Sequence, residues 1–410
     1  MGGAAPKTNS LWGLAWHRLK RNHLAMISLA IISIATLIAV LGSLIRPDKT
    51  PMCNDMLVQI GGKKPGFKIQ LLKIRKNQQI EKPWIGARLF FGGVENEYTY
   101  IPINSYQFSN DSIIVYEYSE FKKRQKRIPK QFHIADVVYP LSSTTGIKRD
   151  GNKLSFFTIN GQKIETSINE LKQKIKTENI ITRHYWLGTD RHGRDMLSRL
   201  MAGTLVSLSV GFISVFISIF IGTTLGALAG YFRGRLDDFI MWLINVVWSI
   251  PTLLLVIAIT LALGKGFWQV FVAVGLTMWV DVARVVRGQF LSLREKEFVE
   301  AGKALGFSHF RIIFKHVLPN VIGSIIVLSA SDFASAILME AGLSYLGIGA
   351  QSPMASWGSM IRDNNDFIYT DKAILALLPG IAIMIMVLSF IILGNGLRDA
   401  LDVKSKPSSN

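Results

Sequence analysis

Twenty-two consecutive residues, Leu24–Ile45, carry no charge. That run constrains the fold more than any other feature, because a helix needs about 20 apolar residues to cross a hydrocarbon core of ~30 Å. A secretory signal is the competing reading, but its apolar core usually spans only about 7–15 residues before a small-residue cleavage site. Arg46-Pro47-Asp48 follows here instead, so the sequence predicts a membrane-anchored first helix. Of 410 residues, 49% are hydrophobic and 18% charged, which excludes a mostly disordered chain. The single cysteine, Cys53, excludes an internal disulfide framework. A net charge of +18 on so apolar a chain leaves a nucleic-acid binder or a membrane protein with basic flanks.

The apolar runs favour the membrane. Thr204–Ala229, Phe239–Leu263, Val321–Leu338 and Ile374–Leu393 are interrupted only by Asp332. Phe267–Val280 is short alone but continues through Asp281 towards Arg284 at a snorkelling depth. Six spans result, with Pro251 and Pro379 as tolerated kinks inside spans three and six. Lys7, Arg18, Lys20 and Arg21 precede the first span, and Arg284, Arg287, Arg294, Lys296, Lys303, Arg311 and Lys315 crowd the segment between spans four and five. Positive flanks stay inside, so both termini are expected in the cytoplasm. Asp363, Asp366 and Asp371 against Arg362 and Lys372 suit the outside. The expected fold class is an all-α membrane protein with six transmembrane helices, plus a mostly-β (α+β) extracytoplasmic insertion between helices 1 and 2.

That insertion covers residues 47–182, a domain-sized stretch. Phe67–Ile74, Ser112–Phe121 and Lys153–Glu165 read as strands, with Asn160-Gly161 as a two-residue hairpin turn and Asp150-Gly151 as another. Ser167 and Glu170 make a capping box for a helix over Ser167–Ile180. Lys122–Arg127 (KKRQKR) is the best nucleic-acid candidate, but it lacks interleaved aromatic platforms and reads as a solvated loop.

Leu291–Asn320 is the most informative stretch. Phe298, Ala301 and Leu305 share one helix face, Gly306 suits a left-handed helix end, and Ser308 can cap a second short helix carrying Phe310, Ile313 and Phe314. Small residues at Ala301, Gly302 and Ala304 allow close approach by another protein; a helix lying on the membrane surface is the equal alternative on periodicity alone. No G-x-x-x-x-G-K-[ST] loop is present, so no nucleotide site is expected in this chain. His184, Asp190, His192 and Asp195 lack metal-ligand spacing, and Asp190 and Asp195 read better as caps or partners of Arg191 and Arg194; no metal is expected. Ser207 and Ser209 carry no nucleophile signature, and no catalytic residue is expected. Asp332 and Glu340 are acids within or beside a span, and therefore candidate pathway residues.

Glu300-Ala301-Gly302, Gly306 and Leu318-Pro319 resemble the EAA loop of ABC importer permeases, with Gly302 and His316 as departures. Leu187–Arg199 (LGTDRHGRDMLSR), Trp279–Glu295, Gly342–Gly349 (GLSYLGIG) and Ser352–Ile361 are similar to segments of dipeptide and oligopeptide permeases, and the basic tail before Leu24 fits their C-type subunit. The resemblance covers the first ~50 residues and everything from about 184 onward, and excludes the insertion. It implies a permease subunit in the inner membrane of a prokaryote, importing di- or oligopeptides or a related small solute such as a metal chelate. It implies a homologous permease, two ABC ATPase subunits that bind ATP and Mg and dock on the EAA loop (Glu300, Ala301, Gly302, Lys303, Gly306, Leu318, Pro319), and an extracytoplasmic substrate-binding protein. Arg294 and Lys303 are then candidate ion-pair partners of an ATPase; membrane lipid is a partner and nucleic acid is not. The organisation expected is a tail and first helix (1–46), the insertion (47–182), a pre-helix segment (183–203), a five-helix core (204–395) with its loop at 291–320, and a cytoplasmic tail (396–410). A membrane-anchored sensor or assembly factor working through the insertion is the alternative.

Overall fold

The computed structural model describes residues 11–80, 84, 86, 93–120, 129–142, 146–264 and 266–401; the basic run Lys122–Arg127 lies outside them. The chain opens with α1 (Leu11–Arg21) and α2 (His23–Ile45). Asn22 divides them, its Oδ1 accepting the Ala25 N–H at 3.1 Å, as a helix N-cap does. A β-rich stretch follows: β1 (Phe67–Arg75), β2 (Tyr98–Ser109), β3 (Ser112–Glu117), β4 (Pro129–His133), α3 (Ile134–Val138), β5 (Lys148–Asp150), β6 (Lys153–Phe157), β7 (Lys163–Ser167), α4 (Ile168–Lys174) and β8 (Ile180–Tyr185). Then come α5 (Met196–Phe232), α6 (Gly234–Trp248), α7 (Thr252–Leu263), α8 (Phe267–Leu293), α9 (Glu297–Ala304), α10 (His309–Tyr345), α11 (Trp357–Asp363) and α12 (Ile374–Leu401).

Among the described residues α2, α5, α8, α10 and α12 are each long and apolar enough to cross a membrane. The expected third span, Phe239–Leu263, is not one kinked helix: α6 and α7 are bent by 92° at the break between them. Counting that pair as one span gives six. Pro251 explains the break, since it has no N–H to donate and precedes the first residue of α7. Pro379, near the start of α12, leaves its helix continuous. The weak fourth run is a single helix through Asp281 to Leu293.

The chain divides into two compact units. One comprises Val40–Ala202 with Asp363–Leu378. Its antiparallel sheet runs β4-β3-β2-β1-β8, and β5-β6-β7 forms a second sheet. β1 is an interior strand buried on both faces: Ile69 and Leu71 pack with Leu57, Ile60 and Tyr185, while Leu72 and Ile74 pack with Ile113, Val115, Phe156, Ile168 and Leu171. Successive side chains point to opposite faces, so its Leu-Leu pair feeds both cores. Gly161 (φ 76°) and Gly151 (φ 56°) sit at the expected turns. Ser167 caps α4, its hydroxyl accepting the Glu170 N–H at 3.1 Å.

The other unit comprises Met1–Ala39, Gly203–Arg362 and Pro379–Asn410. Its tightest seam joins α5 to α8. Gly222, Gly226 and Gly230 recur every fourth residue along α5; a Cβ added to them would lie 2.7, 2.5 and 2.7 Å from the carbonyl oxygens of Trp279, Ala283 and Arg287. Without a hydrophobic drive between helices in lipid, such small-residue ridges permit the backbone contact that holds spans together. Ala25 of α2 meets Gly396 of α12 in the same way, at 2.5 Å from its would-be Cβ.

Replacing Gly226 by Leu is expected to force α5 off α8 and to destabilise the detergent-solubilised protein by about 1–3 kcal/mol, as overpacked cores do. Gly288→Leu is the control, because nothing lies within 4 Å of a Cβ there. Thermal unfolding followed by size-exclusion chromatography reads the difference; equal melting points for the two variants would disprove the ridge.

Candidate functional site

Helix α9 begins at Glu297 and ends where Gly306 adopts φ 73°. The Phe307 N–H returns to the Gly302 carbonyl at 3.0 Å. The Ser308 hydroxyl then accepts the Arg311 N–H at 3.3 Å and starts α10, which passes through wide π-type turns over Ile312–Val317 before its long apolar stretch. This makes a helix–turn–helix knob with two distinct faces. Val299, Ile312, Ile313 and Val317 point inward, to Val286 and Phe290 of α8, Tyr231 of α5, and Val321 and Ile325 of α10. Phe298, Leu305, Phe310 and Phe314 point outward, with Leu305 72% and Phe310 70% exposed. The two phenylalanine rings of α10 stack 4.3 Å apart at the surface.

The candidate loop residues divide accordingly. Glu300, Ala301, Lys303, Gly306 and Pro319 are exposed, Leu318 is half-buried, and Gly302 is buried. A Cβ at Gly302 would sit 3.4 Å from Phe307 and 3.8 Å from Ile312, so alanine also fits there. Arg294 is turned inward and donates to the Tyr231 carbonyl, while Lys303 remains at the surface. His316 stacks on Phe307 at 5.6 Å. Tyr231 closes the base of the knob, its hydroxyl 2.9 Å from His309 Nδ1.

The arginines leading into the knob brace the broken helix. Arg287 makes a bidentate pair with Asp237 of α6 at 2.6 and 2.7 Å. Arg284 lies 3.6 Å from the centroid of the Trp248 ring, at the elbow between α6 and α7. Trp279 is buried in the core shared by α5, α6 and α8.

Asp332 and Glu340 have different surroundings. Glu340 is 2% exposed and held in place: its oxygens accept from Ser344 at 2.6 Å and from Ser207 at 3.5 Å. Ser344 also receives the Ala350 N–H at 3.0 Å, and its carbonyl receives Arg362 at 3.2 Å. Glu340 thus anchors the GLSYLGIG turn. Asp332 is 6% exposed, and its Oδ2 is buried with no hydrogen-bond donor among the described residues. Ser218 of α5 neighbours it, yet that hydroxyl is also buried without closing a hydrogen bond. The carboxylate lines a cavity of about 180 Å³ with Trp248, Thr252, Thr277, Asp281, Ser335 and Met339. A larger cavity, about 650 Å³, follows the same helices past Gln289, Asn320, Ser324, Ser331, Asn395 and Arg398. Thr277, Asp281 and Gln289 share one face of α8 at multiples of four, a polar stripe within an apolar span that the sequence reading overlooked.

The Leu187–Arg199 motif is a locked ionic turn in the other unit. Asp190 Oδ1 accepts the His192 and Arg194 N–H groups, each at 2.9 Å, and its Oδ2 takes Arg194 Nε at 2.6 Å. Arg199 lies 3.5 Å from the same oxygen, and Arg194 reaches Asp363 at 3.4 Å. Asp195 accepts the Ser198 N–H at 2.8 Å and caps α5. Among the described residues, no group of three or more His, Cys, Asp or Glu could hold a metal ion. Gly188 and Gly193, at φ 79° and 77°, bring the motif within 2.2 and 1.9 Å of the Lys63 and Leu57 carbonyls, measured from the Cβ each lacks. Cys53 is fully buried nearby, its Sγ donating to the Ser198 carbonyl at 3.2 Å; burial pushes the thiol pKa up to about 12.

Residues 222–406 match the family described as binding-protein-dependent transport system inner membrane component, and residues 10–56 match the N-terminal TM domain of oligopeptide transport permease C. Strands β1 to β8 fall between the two matched stretches. The chain is 43% identical over 222 residues to the dipeptide transport system permease protein DppC of Alkalihalophilus pseudofirmus, covering 54% of this chain and 73% of that protein. It is 41% identical over 223 residues to the glutathione transport system permease protein GsiD of Pectobacterium atrosepticum, with the same shares covered. The oligopeptide transport system permease protein OppC of Bacillus subtilis is 38% identical over 223 residues, again across 54% and 73%.

Two outcomes test the ionic turn. Asp190→Ala removes the shorter of the two ion pairs of Arg194, a side chain only 1% exposed, and leaves it Asp363 at 3.4 Å; removing one partner of a buried pair costs about 3–5 kcal/mol at most here, and thermal denaturation of the purified chain measures it. His192 accepts from Arg194 at 3.1 Å through Nδ1, and burial followed by the Arg194 charge holds its pKa below the usual 6.5. The unfolded chain therefore takes up the proton first. Stability from this group is complete above about pH 6.5 and falls as pH drops. His192→Asn should flatten the melting-point profile between pH 7 and 5.5.

Proposed function

The chain belongs to the family of binding-protein-dependent transport system inner membrane components, and from that premise we propose that it carries a peptide-like solute through a pathway shared with a homologous permease. It is a multi-pass inner-membrane protein and a transporter component. In this reading α6 and α7 form one span, giving six, with both termini in the cytoplasm and residues 47–182 outside. Two ABC ATPase subunits, which bind ATP and Mg, dock on the α9–α10 knob and on its counterpart in the sister permease. Glu300, Ala301, Lys303 and Gly306 face the ATPase, Gly302 lets α9 lie close to α10, and Leu318-Pro319 joins the knob to its span.

The observation that carries this reading is the two-faced knob. Its outer face presents Phe298, Leu305, Phe310 and Phe314 to a partner, a run of apolar anchors of the kind that dominate protein interfaces. Its inner face shares one core with α5, α8 and α10. A push on the outer face must then move those helices as a body, because packed cores transmit displacement. Arg287, paired with Asp237, passes the motion to the α6–α7 elbow.

The pathway follows the polar stripe of α8 and α10, with Asp332 at its acid centre and Glu340 as the brace of the outer turn. Peptides are the proposed cargo, supported by the named relatives; glutathione, itself a tripeptide, fits the same class. The outer unit presents the surface to a substrate-binding protein that delivers the cargo.

Leu305→Glu combined with Phe310→Glu should remove ATPase subunits from the co-purified complex and lower dipeptide uptake by at least 10-fold, with membrane insertion unchanged. Two lost anchors of about 2 kcal/mol each account for more than that in affinity. Glu300→Arg should act in the same direction with smaller effect. Full uptake and intact co-purification in the double variant would overturn the docking role and favour a sensor or assembly function for the outer unit.

A further inference from the structure

We infer that the Asp332 cavity is a receptor site for a primary ammonium group. The inference rests on reading α8 and α10 as the walls of a transport pathway, and it adds the chemistry of what the pathway holds.

A carboxylate in the middle of a span is costly. Three other charged side chains of this unit have found partners: Arg287 in Asp237, Glu340 in two serines, and Arg284 in the Trp248 ring. Asp332 is nine-tenths buried, its Oδ2 has no donor among the described residues, and it opens on the cavity. It lies 14 residues from Leu318 along α10, ~20 Å at 1.5 Å per residue, and so near the centre of the span. Asp281, exposed on α8, adds a second acid to the same cavity.

The remaining lining identifies the cation. Ser335 and Thr277 offer hydroxyl oxygens beside the two carboxylates, the combination that suits an N–H donor. A volume of about 180 Å³ exceeds what a bare metal ion needs and is too small for a whole peptide. Two carboxylates alone do not make a divalent-metal cage, and no larger ligand cluster exists among the described residues. An ammonium group on a short chain satisfies the acids and the hydroxyls together.

The test uses a thiol reporter in the full chain. Cys53 is buried with a raised pKa, which keeps it silent. Ser335→Cys, at an exposed position of the lining, is labelled with 2-aminoethyl or 2-sulfonatoethyl methanethiosulfonate, and the rate ratio is divided by that for free cysteine. We expect the cationic reagent to be favoured at least 10-fold, Asp332→Glu to keep that preference, and Asp332→Asn to bring it within twofold of the free thiol. n-Butylammonium chloride should slow cationic labelling where sodium chloride at equal ionic strength does not. A preference that survives in Asp332→Asn, or equal protection by sodium, overturns the proposal. Silence at Ser335→Cys and at Met339→Cys, a second reporter on the lining, overturns it as well. None of these readouts depends on ATPase docking, so their failure is separable from failure of the permease reading.

Discussion

Within a bilayer there is no water to satisfy a polar group, so each one must find its partner inside the protein. Most of the membrane-spanning unit can be understood from that constraint. Arg287 is tied to Asp237, Arg284 is laid over Trp248, and Glu340 is surrounded by hydroxyls. These are the tethers that hold the α6–α7 elbow and the GLSYLGIG turn. The same constraint makes Asp332 conspicuous: its Oδ2 is the carboxylate oxygen among the buried polar atoms that lack a partner in the described residues. An unmet need at a fixed position is what a transient ligand requires.

Close backbone approach is the second consequence. Lipid tails are as apolar as the helices, so burial alone gives α5 no reason to prefer α8. Gly222, Gly226 and Gly230 supply one, by letting carbonyls and Cα atoms meet across the seam. The base of the knob is built on the same two helices, through Ala227, Tyr231, Val286 and Phe290. In the proposed coupling, rigidity at the seam and leverage at the knob are therefore one property. A loose α5–α8 contact would let the knob move without the spans.

Much of this was legible in the sequence. Charge-free runs located the spans because their length is set by bilayer thickness, and Gly306, Ser308 and Ser167 announced their helix ends because a left-handed residue and a capping hydroxyl are local requirements. The break at Pro251 was legible as a kink but not as a 92° bend, since the angle depends on tertiary contacts such as Arg287 with Asp237 and Arg284 with Trp248, which hold both ends of α6 to α8. β2, β4 and β8 escaped notice because their neighbours, not their own patterns, decide burial; β2 alternates only weakly over its 12 residues. The polar stripe of α8 was hidden for a related reason. Thr277, Asp281 and Gln289 look incidental along the chain until α10 brings Asp332 and Ser335 to the cavity that Thr277 and Asp281 line.

The surplus positive charge is met by aromatic rings as well as by acids. Of the excess of 18, residues 46–199 hold 12, as 27 basic against 15 acidic side chains. Acids account for some pairs, such as Arg183 with Asp55 and Arg75 with Glu97. Ring faces meet other cations of the β unit, and some of these same side chains as well. Lys63 lies over Phe67 and Tyr118, Lys73 and Arg75 over Tyr98, Lys172 and Lys176 over Phe108, Lys174 over Tyr139, and Arg183 over Tyr100, all between 4.3 and 5.8 Å. A ring quadrupole attracts a cation without neutralising it. The sheet can thus carry its lysines in ordered positions and still project a positive field, one that an acidic partner surface would sense before contact.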